Sequence, residues 1–293
     1  MQGPVTASSY AEDGYLVVRD AFSRAEVEPL LAEATRICRG ELGPLDGLEP
    51  ASGRDPDEAV LRRYIACHVV HKLSPAFRRL LHDERLVDVT RALIGPNVKC
   101  AHSVLFIKSS GEPGNAWHQD EFFIPSRDRS ITTAWIALDD ATVENGCLHL
   151  LPGSHRAGVL YPMRRHHNPN LDRAEEAFGF PYAPEDAVAV EIEAGSVVFF
   201  NGYLLHGSYP NRSESSFRRS VQFVYMSAES LLPWDQVTRG ATTRDYRDII
   251  MVSGEDPYAY KGVEDIGRAY LRKSGPTSAD LAEAAEHTEW NVE

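Results

Sequence analysis

Two short stretches of the chain carry residue types that can hold a metal. In Trp117-His118-Gln119-Asp120 an imidazole and a carboxylate stand two positions apart. In extended backbone, residues i and i+2 face the same side, so His118 and Asp120 converge on one point. A second imidazole, His206, closes the run Phe199-Phe200-Asn201-Gly202-Tyr203-Leu204-Leu205. Two imidazoles and one carboxylate make the facial triad of non-heme Fe(II) oxygenases, which keeps open positions for substrate and O₂. Zinc hydrolases also use two His and a carboxylate, most often as His-Glu-x-x-His on a helix. No such run occurs here. The other His-x-acid, His82-Asp83-Glu84, falls in a helical stretch, where residues i and i+2 point about 200° apart. They cannot share an ion, and that copy reads as surface chemistry.

Arg218 stands twelve residues past His206, in Ser216-Phe217-Arg218-Arg219-Ser220. A buried Arg needs an anion to pair with. A dicarboxylate that chelates iron at one end needs such a partner at the other, and Arg offers a bidentate fork that Lys cannot. A double Arg on the surface is the alternative. Other residues read as structural. His149 and His155 flank the turn Leu151-Pro152-Gly153-Ser154, and Cys147 has no activating base placed near it by sequence. Arg164-Arg165-His166-His167 fits a solvated loop, or a basic lid over an anionic substrate.

The elements that must position these residues are only partly legible. Gly14–Arg19 reads as a strand. Ser23-Arg-Ala-Glu26 has the form of a capping box, followed by Val27, Leu30, Leu31 and Ala34 at helical spacing and a stop at Gly40. Residues 41–56 read as a loop, 57–72 as helix, and Ser74-Pro75 opens one more helix that Gly95-Pro96 closes. Past Pro96 the texture turns to short strands: Val98–Ile107, Ile131–Leu138, Cys147–Leu151, Val188–Ile192, Ser196–Phe200 and Val221–Tyr225. Asn145-Gly146 is a strong hairpin signal between the second and third. This spacing suggests an antiparallel sandwich or barrel. Residues 156–187 form a long polar insertion, expected to be a mobile lid. The tail mixes loop and helix, with a short helix at Ser278–His287.

Composition narrows the partners. The chain has 293 residues and a net charge of −13, with 43% hydrophobic and 25% charged residues. An acidic balance without a basic patch argues against nucleic acid. No apolar run is long enough for a membrane span, and the N-terminus lacks the charged start and apolar run of a signal peptide. Four scattered cysteines without a Cys-x-x-Cys pair suggest a reduced, cytoplasmic protein.

Taken together, the motifs resemble the phytanoyl-CoA dioxygenase (PhyH-like) family of Fe(II)/2-oxoglutarate-dependent oxygenases. The resemblance runs from about residue 9 to 226. It rests on Asp13-Gly14-Tyr-Leu-Val-Val-Arg-Asp-Ala-Phe-Ser23, Trp117-His-Gln-Asp120, Ala134-Trp135 and Glu144-Asn-Gly-Cys-Leu148. Leu151-Pro-Gly-Ser-His155, His206-Gly-Ser208, Asn211 and Phe217-Arg218 complete it. It implies a mainly β fold with flanking α-helices, in one domain. The double-stranded β-helix (jelly-roll) core would span residues 97–226, preceded by a helical region over residues 1–96 and followed by an extension over residues 227–293. It implies His118, Asp120 and His206 as iron ligands and Arg218 as partner of the distal carboxylate of 2-oxoglutarate. Arg219 is the second choice, since the Phe-Arg pair anchors the match. Thr133 and Trp135 share one face of their strand and are expected in the same pocket, although Trp135 also fits plain core. Gln119, inside the metal motif, is expected on the cofactor side.

The reaction so implied turns 2-oxoglutarate and O₂ into succinate and CO₂ while oxidising a substrate C–H. Related halogenases replace the carboxylate ligand with a small residue. With Asp120 present, hydroxylation or another oxidation is favoured. The small-molecule substrate is open among natural-product intermediates, amino acids and acyl derivatives. The acidic balance and the lack of a Gly-rich phosphate loop speak against acyl-CoA. Two rivals stand beside this reading: a cupin-like isomerase or binding protein without 2-oxoglutarate turnover, and a zinc hydrolase on the same ligands.

Overall fold

The N-terminal region follows its punctuation closely at first. The structure, a computed structural model, describes residues 7–172, 175–231, 249–263 and 267–275. Helix α1 (Ala7–Asp13) leads through Gly14 into strand β1 (Tyr15–Val18). Ser23 caps helix α2 (Arg24–Cys38): its Oγ accepts from the Glu26 amide at 3.3 Å and Glu26 Oε2 accepts from the Ser23 amide at 2.8 Å. The capping box is real, and Val27, Leu30, Ala34 and Ile37 bury the face it presents.

Two helical expectations need correction. Residues 57–72 hold helix α3 (Asp57–Leu61), strand β2 (Tyr64–His68) and helix α4 (Val70–Leu73). β2 exists because it pairs with the apolar strand behind it, Ala66 opposite Phe106 and His68 opposite Val104. Such pairing overrides local propensity. The helix from Ser74 to Gly95 is two: α5 (Pro75–Leu81) and α6 (Glu84–Ile94). Asp83 starts the second, accepting from the Arg85 amide at 3.0 Å. His82 is therefore at a helix end and exposed, and its neighbouring carboxylate is spent on a cap and on Arg85.

Most of the remaining strands build two facing antiparallel sheets, and two more form a separate hairpin. In chain order they are β3 (Val98–Lys108), β4 (Asn115–His118), the short helix α7 (Asp120–Phe123), β5 (Thr132–Ala137) and β6 (Leu148–Leu150). Then come β7 (Met163–Arg165), β8 (Glu175–Ala177), β9 (Val188–Val190), β10 (Val197–Asn201) and β11 (His206–Ser208). β12 (Arg218–Ser227), β13 (Ile250–Ser253) and β14 (Tyr270–Lys273) complete the described strands. The major sheet runs β1-β10-β5-β12-β3-β2-β14, with β13 also on β3, and the minor sheet runs β4-β11-β6-β9. Trp135 and Val198 of the major sheet pack on Leu148 and Val190 of the minor one. This is the expected jelly roll with flanking helices, its sheets not closed. Strands from both chain flanks join the major sheet, so the sheet extends beyond 97–226.

Period two along the strands decides which side chains face inward. On β12, Val221, Phe223 and Tyr225 join the helix-side core with Leu30, Ile37 and Phe77, while Arg218 and Gln222 face the interior cleft. On β5, Ala134 and Ile136 take the helix side and Trp135 the interior.

Asn145-Gly146 is a turn but not a hairpin. β5 pairs β10 and β12, whereas β6 pairs β11 and β9. The turn carries the chain from one sheet to the other. Asn145 Nδ2 donates to Asp140 O and its Oδ1 accepts from the Thr142 amide, each at 2.8 Å. Gly146 has φ +83°, and a Cβ there would meet Tyr209 O at 2.4 Å, so only glycine fits. The insertion 156–187 contains the β7–β8 hairpin, and its Tyr161 and Ala177 pack with Leu151 and Leu205. The tail contributes strands β13 and β14; the expected helix at 278–287 lies outside the described residues.

Candidate active site

β4 and β11 are neighbours, and His118 and His206 are direct cross-strand partners. Their rings lie on one face with centroids 4.1 Å apart. Asp120 follows at the start of α7, bringing Oδ1 to 3.8 Å from His118 Nε2 and 3.6 Å from His206 Nε2. Each imidazole is oriented by its own strand. His118 Nδ1 bonds Ala116 O at 2.7 Å, and His206 Nδ1 bonds Leu204 O at 2.9 Å. A carbonyl only accepts, so Nδ1 carries a proton in each ring, and Nε2 is the nitrogen turned toward Asp120. The three ligand atoms lie within 4.8 Å of one another and all three residues are buried. Two imidazole nitrogens and a carboxylate oxygen on one side are the donor set that ferrous iron takes.

Arg218 opens β12 from the interior face of the major sheet. Its Nη1 donates to Ser220 Oγ at 2.9 Å, and its guanidinium carbon sits 5.5 Å from the centre of the Trp135 ring. Its Nε is buried without a hydrogen-bond partner. Burial lowers its pKa to about 10, outweighing the opposing pull of Cys147 and Asp139. Arg219 points to the opposite face, where Nε and Nη2 each reach Asp139 at 2.8 Å. The register thus separates the two arginines: one bound to an acid, the other held ready for one. His118, His206, Trp135 and Arg218 line one cleft of about 720 Å³, open mouth included. Its buried, unpartnered guanidinium N–H suits a dicarboxylate's far end.

Other expected residues take different posts. Thr133 meets Asp120 rather than a cofactor, its Oγ1 donating to Asp120 Oδ2 at 2.6 Å. Gln119 is corrected. Lying between the two ligands in extended backbone, it must face the other way. Its Nε2 donates to Val159 O and Tyr203 O, and its Oε1 accepts from the Tyr161 amide. Trp135 both lines the cleft and packs in the core. Cys147 is buried, its thiol pushed up to about 11 mainly by desolvation, and His149 packs edge-on against Tyr209. Lys108, Glu112, Ser208 and the Asp172–Arg272 ion pair also line the cleft and are not assigned to it by the sequence. Only Ser208 had a signal: it is two residues past His206, hence on the same face.

The phytanoyl-CoA dioxygenase (PhyH) family matches residues 10–220, a span that holds the triad and Arg218. The chain belongs to this family. Among its relatives, an ectoine dioxygenase of Bordetella parapertussis is 33% identical over 247 residues, covering 76% of this chain and 75% of that protein. A probable alpha-ketoglutarate-dependent hypophosphite dioxygenase of Stutzerimonas stutzeri is 27% identical over 257 residues, covering 87% of each chain. The solved structure of ThoJ, a non-heme monooxygenase in its apo form, superposes with a TM-score of 0.67 at 21% identity, over 96% of this chain and 94% of that one. That likeness bears on fold. The PhyH chain is thus an iron- and 2-oxoglutarate-dependent oxygenase. No helix among the described residues is long and apolar enough to cross a membrane.

Proposed function

We propose that this PhyH-family chain hydroxylates an unactivated C–H of a small molecule, a natural-product intermediate, amino acid or acyl derivative. The observation that carries this reading is one cleft lined at one point by His118 and His206 and at another by a buried, unpaired Arg218.

Iron with 2-oxoglutarate and O₂ supplies the oxidation, giving succinate and CO₂. The chain supplies the rest. His118, Asp120 and His206 hold the metal through Nε2, one carboxylate oxygen and Nε2. Thr133 keeps the other Asp120 oxygen occupied. Arg218 takes the distal carboxylate, and Trp135 packs under that guanidinium. Trp135, Phe200 and Leu148 give the cleft dry walls that exclude water from the reacting centre. We also read a reducing, cytoplasmic setting, supported by four buried, free cysteines.

The test is anaerobic loading with Fe(II), then addition of O₂ and 2-oxoglutarate with a panel of candidate substrates, reading succinate and product together. Succinate that rises in step with one hydroxylated product supports the reading. Metal binding with no succinate under any condition would overturn it in favour of a cupin-like protein without turnover.

A further inference from the structure

The cleft has an acidic corner that neither the triad nor Arg218 forms. Glu112 lies between β3 and β4, Asn115 opens β4 and Asp172 comes from the insertion, and all three line the cleft. Glu112 is 7% exposed. Its Oε1 accepts from Ser274 Oγ, while its Oε2 is buried with no hydrogen-bond partner among the described residues. The Asn115 Oδ1 is buried and unpartnered in the same way. The nearby cations are committed elsewhere: Arg272 pairs with Asp172, and Lys108 Nζ donates to Ser208 Oγ and Tyr209 O, each at 2.8 Å. Desolvation is the main reason the Glu112 carboxyl titrates above its ordinary range. Asp172 adds to this, and the hydroxyls of Ser274 and Ser109 and the charge of Lys108 oppose it. A buried acceptor left without a donor costs free energy, and here two stand in one corner of the cleft.

Local geometry holds these acceptors in place. His118 pairs with His206 and Asn115 with Ser208, so three steps along β4 match two along β11. The extra residue is a bulge, and a bulge re-aims side chains. Strict alternation would put Asn115 and His118 on opposite faces; with the bulge, both line the cleft. Gly114 packs main chain against main chain: a Cβ there would meet Ser208 O at 2.1 Å. Its amide donates to Asn170 O and its carbonyl accepts from the Asp172 amide, each at 2.7 Å. The segment from Glu112 to Asn115 is therefore pinned between β11 and the insertion, and acceptors preset in this way lose little freedom on binding.

We propose that the primary substrate is an amine, an alkyl ammonium whose N–H groups reach Glu112 Oε2 and Asn115 Oδ1. An ammonium has three donors and no acceptor, the complement of two bare acceptors. A carboxylate or phosphate there would meet Glu112 with like charge. The carbon chain lies against Ala66 and Phe106, which wall the same cleft. Asn115 and His118 are the two ends of β4, about 10 Å apart at the usual strand rise, so the oxidised C–H lies several bonds from the nitrogen. The inference rests on the reading of the cleft as a hydroxylase site and names its substrate class.

The experiment is anaerobic calorimetry on the full chain loaded with Fe(II) and 2-oxoglutarate, using three probes of one length: hexylammonium, 1-hexanol and hexanoate. Hexylammonium should bind about ten- to a hundredfold tighter than hexanol, the scale of a charged hydrogen bond, and hexanoate should bind weakest. Glu112→Gln keeps the shape and removes the charge; it should erase the preference for the ammonium and leave hexanol within about twofold. Asn115→Leu should reduce the preference by about three- to tenfold, the scale of a neutral hydrogen bond, and it carries the test if Glu112→Gln does not fold. A preference for hexanol or hexanoate, no binding of any probe, or an ammonium preference that survives both substitutions would overturn the proposal. Succinate formed from 2-oxoglutarate by the parent protein, measured alongside, separates the two levels. Succinate without an ammonium preference removes only the amine. No succinate under any condition removes the reading of the cleft as well.

Discussion

Thr133 Oγ1 donates a 2.6 Å hydrogen bond to Asp120 Oδ2, while Asp120 Oδ1 is the oxygen nearest both imidazoles. The carboxylate is thereby divided: one oxygen is tied to β5 of the major sheet, the other is left to a metal. The bond also links the two sheets at the triad, because Asp120 follows β4 of the minor sheet. It fixes the carboxylate rotation that a facial site needs.

Removing that tie should cost metal affinity without removing a ligand. Thr133→Val keeps the shape and deletes the donor. The expected outcome is weaker Fe(II) binding by about ten- to a hundredfold, the usual effect of an outer hydrogen-bond partner. Thr133→Ser should retain most of the affinity. Anaerobic metal titration decides this, and an unchanged Fe(II) affinity in Thr133→Val would show that Asp120 needs no such hold.

The ligands themselves give a sharper contrast. His118→Ala, Asp120→Ala and His206→Ala should each abolish turnover and strongly weaken metal binding, with thermal unfolding still cooperative. His82→Ala should leave both properties alone, because His82 is exposed at the end of α5. Loss of metal in His82→Ala with retention in His118→Ala would invert the assignment.

The two arginines should fail in different ways. Arg218→Ala should raise the 2-oxoglutarate KM by about a hundredfold or more, the scale of a buried charge losing its partner, and spare metal binding. Arg219→Ala should leave that KM unchanged and lower stability, since it removes the guanidinium from Asp139 and leaves that carboxylate only the residue-219 amide. Loss of charged hydrogen bonds of this kind costs about 1–3 kcal/mol, a few degrees in Tm for a chain of this size. A KM defect in Arg219→Ala with a normal Arg218→Ala would place the wrong face of β12 in the cleft.

What was legible in the sequence tracks what is local. His118 and Asp120 share a face because strand backbone has period two, and Ser23 with Glu26 forms its cap within one turn. Asn145-Gly146 announces a turn correctly, but turn chemistry does not say which strands will pair, and here they lie in different sheets. β2, β13 and β14 owe their existence to the edge or flank of β3 and to one another, so their own residues carry little signal. Lys108 ends an apolar strand like any solvated lysine. Only its register opposite Arg218 brings it into the cleft.

Gln119 yields the last expected outcome. Its amide makes three bonds to main chain: to Val159 O at 2.9 Å, to Tyr203 O at 2.7 Å and from the Tyr161 amide at 2.8 Å. Val159 and Tyr161 begin the insertion, and Tyr203 precedes His206 by three residues. One side chain between two metal ligands therefore anchors both the insertion and the approach to the third ligand. Gln119→Ala leaves those backbone groups without their partner; the Tyr161 amide is the buried one of the three, and a buried group so stranded costs about 1–3 kcal/mol. Amide hydrogen exchange at 159–165 should accelerate in the variant, while Fe(II) affinity stays near the parent value. If the insertion acts as a lid that excludes water before oxidation, loosening its anchor should also uncouple succinate from product. Its exchange should slow when substrate binds the parent protein. Exchange at 159–165 that is equally slow in parent, substrate complex and Gln119→Ala would make the segment a fixed wall of the cleft rather than a lid, and the uncoupling should then be absent too.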